Sequence, residues 1–349
     1  MSELDDLSTS IADTIKTYRS GDLARPTPEH VTRWASQFTP ANQLAFLREF
    51  DHVIKKTFFT EQNVKEFLGN LVTNNKLAGT DPASYWKSAH FLKIQQNGQS
   101  QKEMLKLFAN CLGEQCGLNL NECGEPDGDY IYLDDVMFSG NRVGNDLRAW
   151  ITNHAPQQAT VHVIIVALHL SGSYLTGENL KGVIKKSGKT IAIKYWRALG
   201  IENRKSHKNS SNVLWPTSIP DVSEVQEYMA LPCGFPFEPR VARDALIVPF
   251  SSEQGRQVLE DEFLIAGAKI RALSENPKAS MRPLGYSPFG VGFGSTIVTY
   301  RNCPNNCPLA LWWGDPEVTS GALHWYPLLP RKTYAAPENI FNVFDDPSL

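Results

Sequence analysis

The chain carries no surplus of positive charge. Its 34 lysines and arginines face 37 aspartates and glutamates, a formal charge of −3. That balance excludes a surface basic throughout and confines any nucleic-acid contact to a local patch or a partner. Long hydrophobic runs are missing too. The longest, Val161 to Leu170, is of strand length and is interrupted by His162 and His169, well short of the roughly 18 to 20 apolar residues that a membrane span needs. The amino terminus places Glu3, Asp5 and Asp6 where a secretory leader would be basic and then apolar. A cytoplasmic protein with no membrane partner is therefore expected. The cysteines are few and irregularly spaced. Cys111-x4-Cys116 and Cys303-x3-Cys307 give no two CxxC knuckles, so free thiols are expected rather than a zinc site or a disulfide framework.

What remains is an ordinary globular composition, 42% hydrophobic and 20% charged over 349 residues, enough for one large or two modest cores. Residues 1–80 read as a helical segment. Thr27-Pro28-Glu29 is a cap followed by a first-turn proline, and Leu44, Leu47, Phe50, Ile54 and Phe58 recur at helical spacing. Residues 81–230 alternate strand and helix. Phe91–Gln95, Tyr130–Leu133, Val161–Leu168 and Thr190–Trp196 read as strands, with helices over 102–111, 143–151 and 178–186 between them. The continuous β-branched run from Val161 is what a strand covered on both faces requires. The fold class expected is α/β, a doubly wound and mostly parallel sheet with ligands at the carboxyl ends of its strands. Residues 231–349 form an α+β extension, with a helix from Ser251-Ser252-Glu253-Gln254 to about Leu273 and then a strand over 295–300.

The most informative stretch is Tyr130-Ile131-Tyr132-Leu133-Asp134-Asp135-Val136-Met137-Phe138-Ser139-Gly140-Asn141-Arg142. A buried strand delivers two acids to its end, and a small turn opens a helix beside them. Backbone N–H groups at such a helix start attract phosphate, and carboxylates accept hydrogen bonds from sugar hydroxyls or hold Mg2+. The same residues also suit a solvated strand-to-helix turn in which Asp135 or Ser139 is merely a cap. His162 and His169 fit satisfied structural histidines of a core strand.

This pattern resembles the phosphoribosyl-pyrophosphate (PRPP) signature of type I phosphoribosyltransferases. The run from Gly285 to Arg331, with its Asn302-Cys303-Pro304-Asn305-Asn306 loop and paired Trp312 and Trp313, resembles the PRTase-CE group of bacterial conflict and anti-phage gene neighbourhoods. The likeness extends over roughly Tyr85 to Arg331. It implies catalytic acids at Asp134 and Asp135, which face the ribose hydroxyls and share Mg2+. It also implies a 5′-phosphate turn formed by Phe138, Ser139, Gly140, Asn141 and Arg142, although Phe138 and Arg142 replace the small hydroxyl residues usual there. The earlier strand–loop–helix unit would grip pyrophosphate through Gln96, Asn97, Gly98, Gln99 and Ser100, with Lys102 as the nearest cation; a plain βα turn capped by Ser100 is the alternative.

Nine basic residues crowd the span from Lys181 to Lys208 against one acid, Glu202. Lys194, Arg197, Arg204, Lys205 and Lys208 are candidates for a lid over a phosphorylated ligand or for nucleic-acid contact, and a solvated face accounts for them equally. Three functions fit. One is a phosphoribosyltransferase-like defence effector that binds PRPP or a nucleotide. Another is an inactive nucleotide sensor that docks on protein partners from the same defence operon. The third is a nucleic-acid-binding module.

Overall fold

The computed structural model describes residues 2–95, 99–243 and 247–331. These close into two compact units, one of residues 2–60 and 202–331 and the other of residues 61–201.

The first unit opens with helices α1 (Glu3–Thr14), α2 (Pro28–Ala35) and α3 (Gln43–Thr57), followed by the two-residue strand β1 (Phe58–Phe59). Thr27 caps α2 by accepting from the His30 amide at 3.3 Å, with Pro28 in the first turn. Of the expected stripe, Leu47, Phe50 and Ile54 are buried on α3 and Phe58 just after it, while Leu44 is half-buried. Phe46 and Phe50 pack with Trp34, Phe38 and Phe263 in one aromatic cluster.

The second unit contains α4 (Glu61–Val72), α5 (Asn75–Ala78), α6 (Pro82–Ser88), β2 (His90–Phe91) and α7 (Ser100–Cys116). It continues through β3 (Tyr130–Met137), α8 (Asn141–Asn153), β4 (Gln158–His169), α9 (Leu170–Ser187) and β5 (Thr190–Ile201). The alternation yields the parallel sheet expected, ordered β2-β3-β4-β5. Strand β4 is central and buried from Val161 to His169, which is why its sequence is apolar without alternation. On one face, Tyr132, Val163 and Ile165 pack with Val143, Leu147 and Ile151 of α8 and Leu180 of α9.

The strand expected over 91–95 is shorter than its sequence suggests. Leu92 still donates to the Ile131 carbonyl at 2.9 Å, but the next amides leave the ladder. Ile94 and Gln95 both donate to the side-chain oxygen of Gln101, at 2.9 and 3.0 Å. A side-chain acceptor has taken the place of the neighbouring strand.

The chain then returns to the first unit with α10 (Ser223–Met229), α11 (Glu253–Ala272), β6 (Val298–Thr299) and α12 (Leu309–Trp312). Ser252 caps α11, whereas Ser251 donates its amide to Glu49 at 2.9 Å. Only Val298 and Thr299 of the strand expected over 295–300 pair, in parallel with Phe58 and Phe59. Ser295 donates instead to Asn306, and Ile297 to the Ser295 hydroxyl. No helix among the described residues is long and apolar enough to cross a membrane.

Candidate functional site

Asp134 and Asp135 lie near the carboxyl end of β3, and alternation along the strand gives them different surroundings. Asp134 pairs with Ile165 of the central strand and is 3% exposed; Asp135 is half-buried. Each carboxylate accepts from the amide of the residue that follows, Asp134 from Asp135 at 2.9 Å and Asp135 from Val136 at 2.8 Å. Burial pushes the Asp134 carboxyl up to about 7, and the charge of Asp135 adds to the shift. Hydrogen bonds from the Ser100 hydroxyl and the Asp135 amide, together with the charge of Arg142, act against it. At neutral pH Asp134 therefore holds a proton for much of the time, and Asp135 is the more accessible acid.

Ser100 is the first residue of α7. Its hydrogen bond to Asp134 brings the two strand–loop–helix units together at one end of the sheet. Gln99 occupies the helix cap position without a side-chain bond, and Lys102 is exposed. Gln96, Asn97 and Gly98 lie outside the described residues.

The turn after β3 is shaped by its glycine. Gly140 has φ 77° and stands at the cap position of α8, where no side chain caps the helix. A β-carbon on it would collide with Thr176 Oγ1 and would meet Met137 Cε at 2.5 Å and the Gly172 carbonyl at 3.1 Å. Only a glycine tolerates both the left-handed backbone and that approach. The first turn of α8 contains no acid. Ser139 is exposed and accepts from the Asn141 amide at 3.3 Å. Among the described residues, the Ser139 and Gly140 amides donate to no protein acceptor. Phe138 is half-buried, and Asn141 is exposed.

Arg142 is half-buried in this first turn, and its charge acts on Asp134, Tyr132 and Asp146. Tyr132, two residues before Asp134 on the same face of β3, donates to Asp146 at 2.8 Å. Burial raises the Asp146 carboxyl, against the hydrogen bond from Tyr132 and the charge of Arg142. The acid pair thus rests on a polar layer that links β3 to α8. Spacing alone did not single out Tyr132 or Asp146; the i, i+2 placement on one strand face is the signal that would have pointed to Tyr132.

The histidines are engaged. His162 Nδ1 accepts from the Trp196 indole at 2.8 Å, so Nε2 bears the hydrogen that it donates to Asp129 at 3.0 Å. That chain closes on the Tyr85 hydroxyl, 3.2 Å from Asp129. His169, by contrast, belongs to the site. Its Nδ1 is 3.0 Å from the Phe138 carbonyl and 3.2 Å from the Gly172 amide in the first turn of α9.

The basic run divides between the units. Lys194 and Arg197 are exposed on β5, the last strand in the sheet order. In the other unit Arg204 pairs with Glu202, and Lys205 and Lys208 both pair with Glu238. The asparagines of the late loop serve its architecture, Asn306 donating to the Tyr286 carbonyl at 3.0 Å while the Asn305 carbonyl accepts from Tyr286 at 2.8 Å.

Comparison with known proteins agrees with this fold. The family model PRTase-CE, a phosphoribosyltransferase-like family, matches residues 31–331. No curated protein and no solved structure matches the chain. The chain belongs to the PRTase-CE family.

Proposed function

We propose that this PRTase-CE protein binds PRPP, or a nucleotide carrying the same ribose 5-phosphate, at the carboxyl end of β3, in the cytoplasm and as an effector of a bacterial defence system. One observation supports this above all. The partly exposed Asp135 stands beside a turn whose Ser139 and Gly140 amides have no acceptor among the described residues. The turn opens α8, a helix of 13 residues with no acid in its first turn. A sugar phosphate fits both halves: its 5′-phosphate meets the amides and Arg142, and its 2′- and 3′-hydroxyls donate to the carboxylates.

The donor set suits Mg2+ in one way. No group of three or more histidine, cysteine or carboxylate side chains that could hold a metal ion gathers among the described residues, so these residues offer no complete cage. Magnesium is commonly held by one or two carboxylates together with ligand phosphates. Asp135 is the fitting carboxylate, and Asp134 joins it once its proton is lost. Bound there, the ion would neutralise pyrophosphate charge.

Transfer of the phosphoribosyl group is displacement at ribose C1 with pyrophosphate leaving. The chain contributes orientation and charge placement rather than a nucleophile. The burial and raised pKa of Asp134 favour a second reading, a pocket that holds its ligand without turnover and signals to protein partners. Calorimetric titration of PRPP with Mg2+, followed by pyrophosphate release over a panel of bases, separates the two. Binding is expected in the wild type and is expected to fall at least tenfold in Asp135→Asn at unchanged melting temperature. Binding with pyrophosphate release supports transfer, and binding without release supports the sensor. A wild type that ignores PRPP, or an Asp135→Asn variant that binds it equally well, would sink both.

A further inference from the structure

Helix α9 leaves one long face to solvent. Its buried residues are Gly172, Thr176 and Leu180. The helical period puts Tyr174, Glu178 and Lys185 on the opposite side, with Leu175, Gly182 and Lys186 beside them, and all six are exposed. Tyr174 and Leu175 are 66% and 59% exposed, and among the described residues of 61–201 they are the only large apolar side chains so exposed. Single exposed apolar residues are ordinary; these two are neighbours at one end of one helix.

The face is polarised along its length. Its amino-terminal half carries the apolar pair and Glu178, and its carboxyl-terminal half carries Lys181, Lys185 and Lys186. Glu178 holds Lys181 at 2.6 Å within the helix, while Lys185 and Lys186 lie a turn further on. Gly182 stands near the middle. A β-carbon there would meet nothing within 4 Å, so packing within the chain does not call for a glycine. Inside a helix glycine is less stable than alanine, and what it offers in return is close approach by another backbone.

We propose that a second copy of the chain docks on this face, its α9 antiparallel to the first about a two-fold axis at the level of Leu180. Antiparallel packing sets Tyr174 and Leu175 of each protomer against the partner's Lys185 and Lys186, whose aliphatic stems cover apolar surface and whose ammonium groups meet the tyrosine ring. It sets Glu178 over the partner's Gly182, within reach of the partner's Lys185. A parallel pair would place lysines on lysines instead. The contact is isologous, so each favourable pairing occurs twice. One helix pair is small for a specific interface, so a reversible dimer of micromolar affinity is expected, and dilute protein in unfolding experiments is monomeric. Mass rather than ligand binding reports on the dimer, and the phosphoribosyl reading is not at stake.

Sedimentation velocity of the whole chain over a concentration series tests it. Glu178→Lys in one variant, and Lys185→Glu with Lys186→Glu in another, each set like charges across the axis. Each variant is expected to lose self-association tenfold or more at unchanged melting temperature, since all three side chains are exposed. Mixing the two restores opposite charges at both ends of the contact, so a heterodimer within threefold of the wild-type affinity is expected. Leu175→Ser, which removes apolar area and leaves every charge in place, is expected to weaken the dimer severalfold. A wild type that stays monomeric throughout overturns the inference. A dimer that neither charge variant weakens uses another face and overturns it too. Loss in both variants without recovery on mixing rules out the antiparallel pairing. A monomeric wild type that binds heparin, and loses it in Lys185→Glu with Lys186→Glu, would assign these lysines to a polyanion instead.

Discussion

The carbonyl oxygen of Phe138 fills the space in which residue 172 would carry a β-carbon. Gly172 lies in the first turn of α9, and Phe138 begins the turn after β3, so the glycine lets two strand-end segments touch. His169 sits in the same junction. Its one Nδ1 can donate to the Phe138 carbonyl or accept from the Gly172 amide, and not both at once. The turn that carries Ser139 and Gly140 is therefore held from behind by α9 as well as by its own helix.

Gly172→Ala is expected to cost about 1–3 kcal/mol, the usual penalty for forcing a methyl group into filled space, and to weaken PRPP binding by displacing the turn. Gly182 in the same helix is the control. Nothing stands within 4 Å of a β-carbon there, so Gly182→Ala gains roughly 0.5–1 kcal/mol from helix propensity. Chemical denaturation of both variants is the measurement. Gly172→Ala as stable as Gly182→Ala would mean that the junction yields freely.

Asp134 makes stability depend on pH. Its folded pKa, about 7, lies above the ordinary value of 3.8, so between those values the folded state binds more protons than the unfolded chain. The Asp134 contribution is then most favourable below about pH 4, declines as pH rises and levels off above pH 7. A shift of that size corresponds to about 4 kcal/mol at most. Asp134→Asn cannot ionise and keeps an oxygen for the Asp135 amide. Denaturation of the variant from pH 5 to 8 is expected to show a flatter profile and greater stability than wild type at pH 8, alongside lost PRPP binding. Parallel profiles for the two proteins would show that Asp134 does not ionise in this window.

Periodicity and composition were enough to read the sheet and its helices, because each signal there is local. The β-branched run from Val161 is a covered strand whatever surrounds it, and Thr27 with Pro28 starts a helix within four residues. The acid pair and its glycine turn were legible for the same reason. Less legible were features in which a side chain from elsewhere replaces an expected backbone partner. Gln101 ends β2 by drawing off the amides of Ile94 and Gln95, and nothing in Phe91–Gln95 itself announces this. Thr176 and Gly172 shape the turn after β3 from more than thirty residues downstream. The surroundings of Asp134 follow from register against Ile165, which no single-strand pattern specifies.

Glu49 illustrates such a distant partner in the other unit. It is 3% exposed on α3 and accepts from the Ser251 amide at 2.9 Å and from the Ser251 hydroxyl, just before α11 begins. Glu49→Ala takes the protein acceptor from the amide of Ser251, an exposed residue, and is expected to cost about 1 kcal/mol. Glu49→Gln retains a carbonyl oxygen and should recover more than half of that loss. Urea denaturation decides the matter, and equal stability of the two variants would dismiss the hydrogen bonds as the cause.

Another such carboxylate is Glu260 of α11, which is fully buried. It accepts from Arg256 at 2.7 Å, from Arg240 at 2.8 Å and from the Trp215 amide at 2.8 Å. Removing it leaves two guanidinium groups in the interior of the unit with one fewer counter-charge, so Glu260→Ala is expected to cost about 3–5 kcal/mol. Glu178→Ala, which breaks an exposed pair with Lys181, should leave stability nearly unchanged. A second readout is independent of unfolding. The neighbouring Asp261 is pushed up to about 6 by burial and then by the charges of Glu260 and Glu262. In Glu260→Gln the Asp261 titration, followed by carboxyl NMR, should move toward lower pH, because the like charge with the larger effect is gone while burial is unchanged. A titration that stays in place would assign the shift to burial and Glu262 and would remove Glu260 as the organising charge of this network.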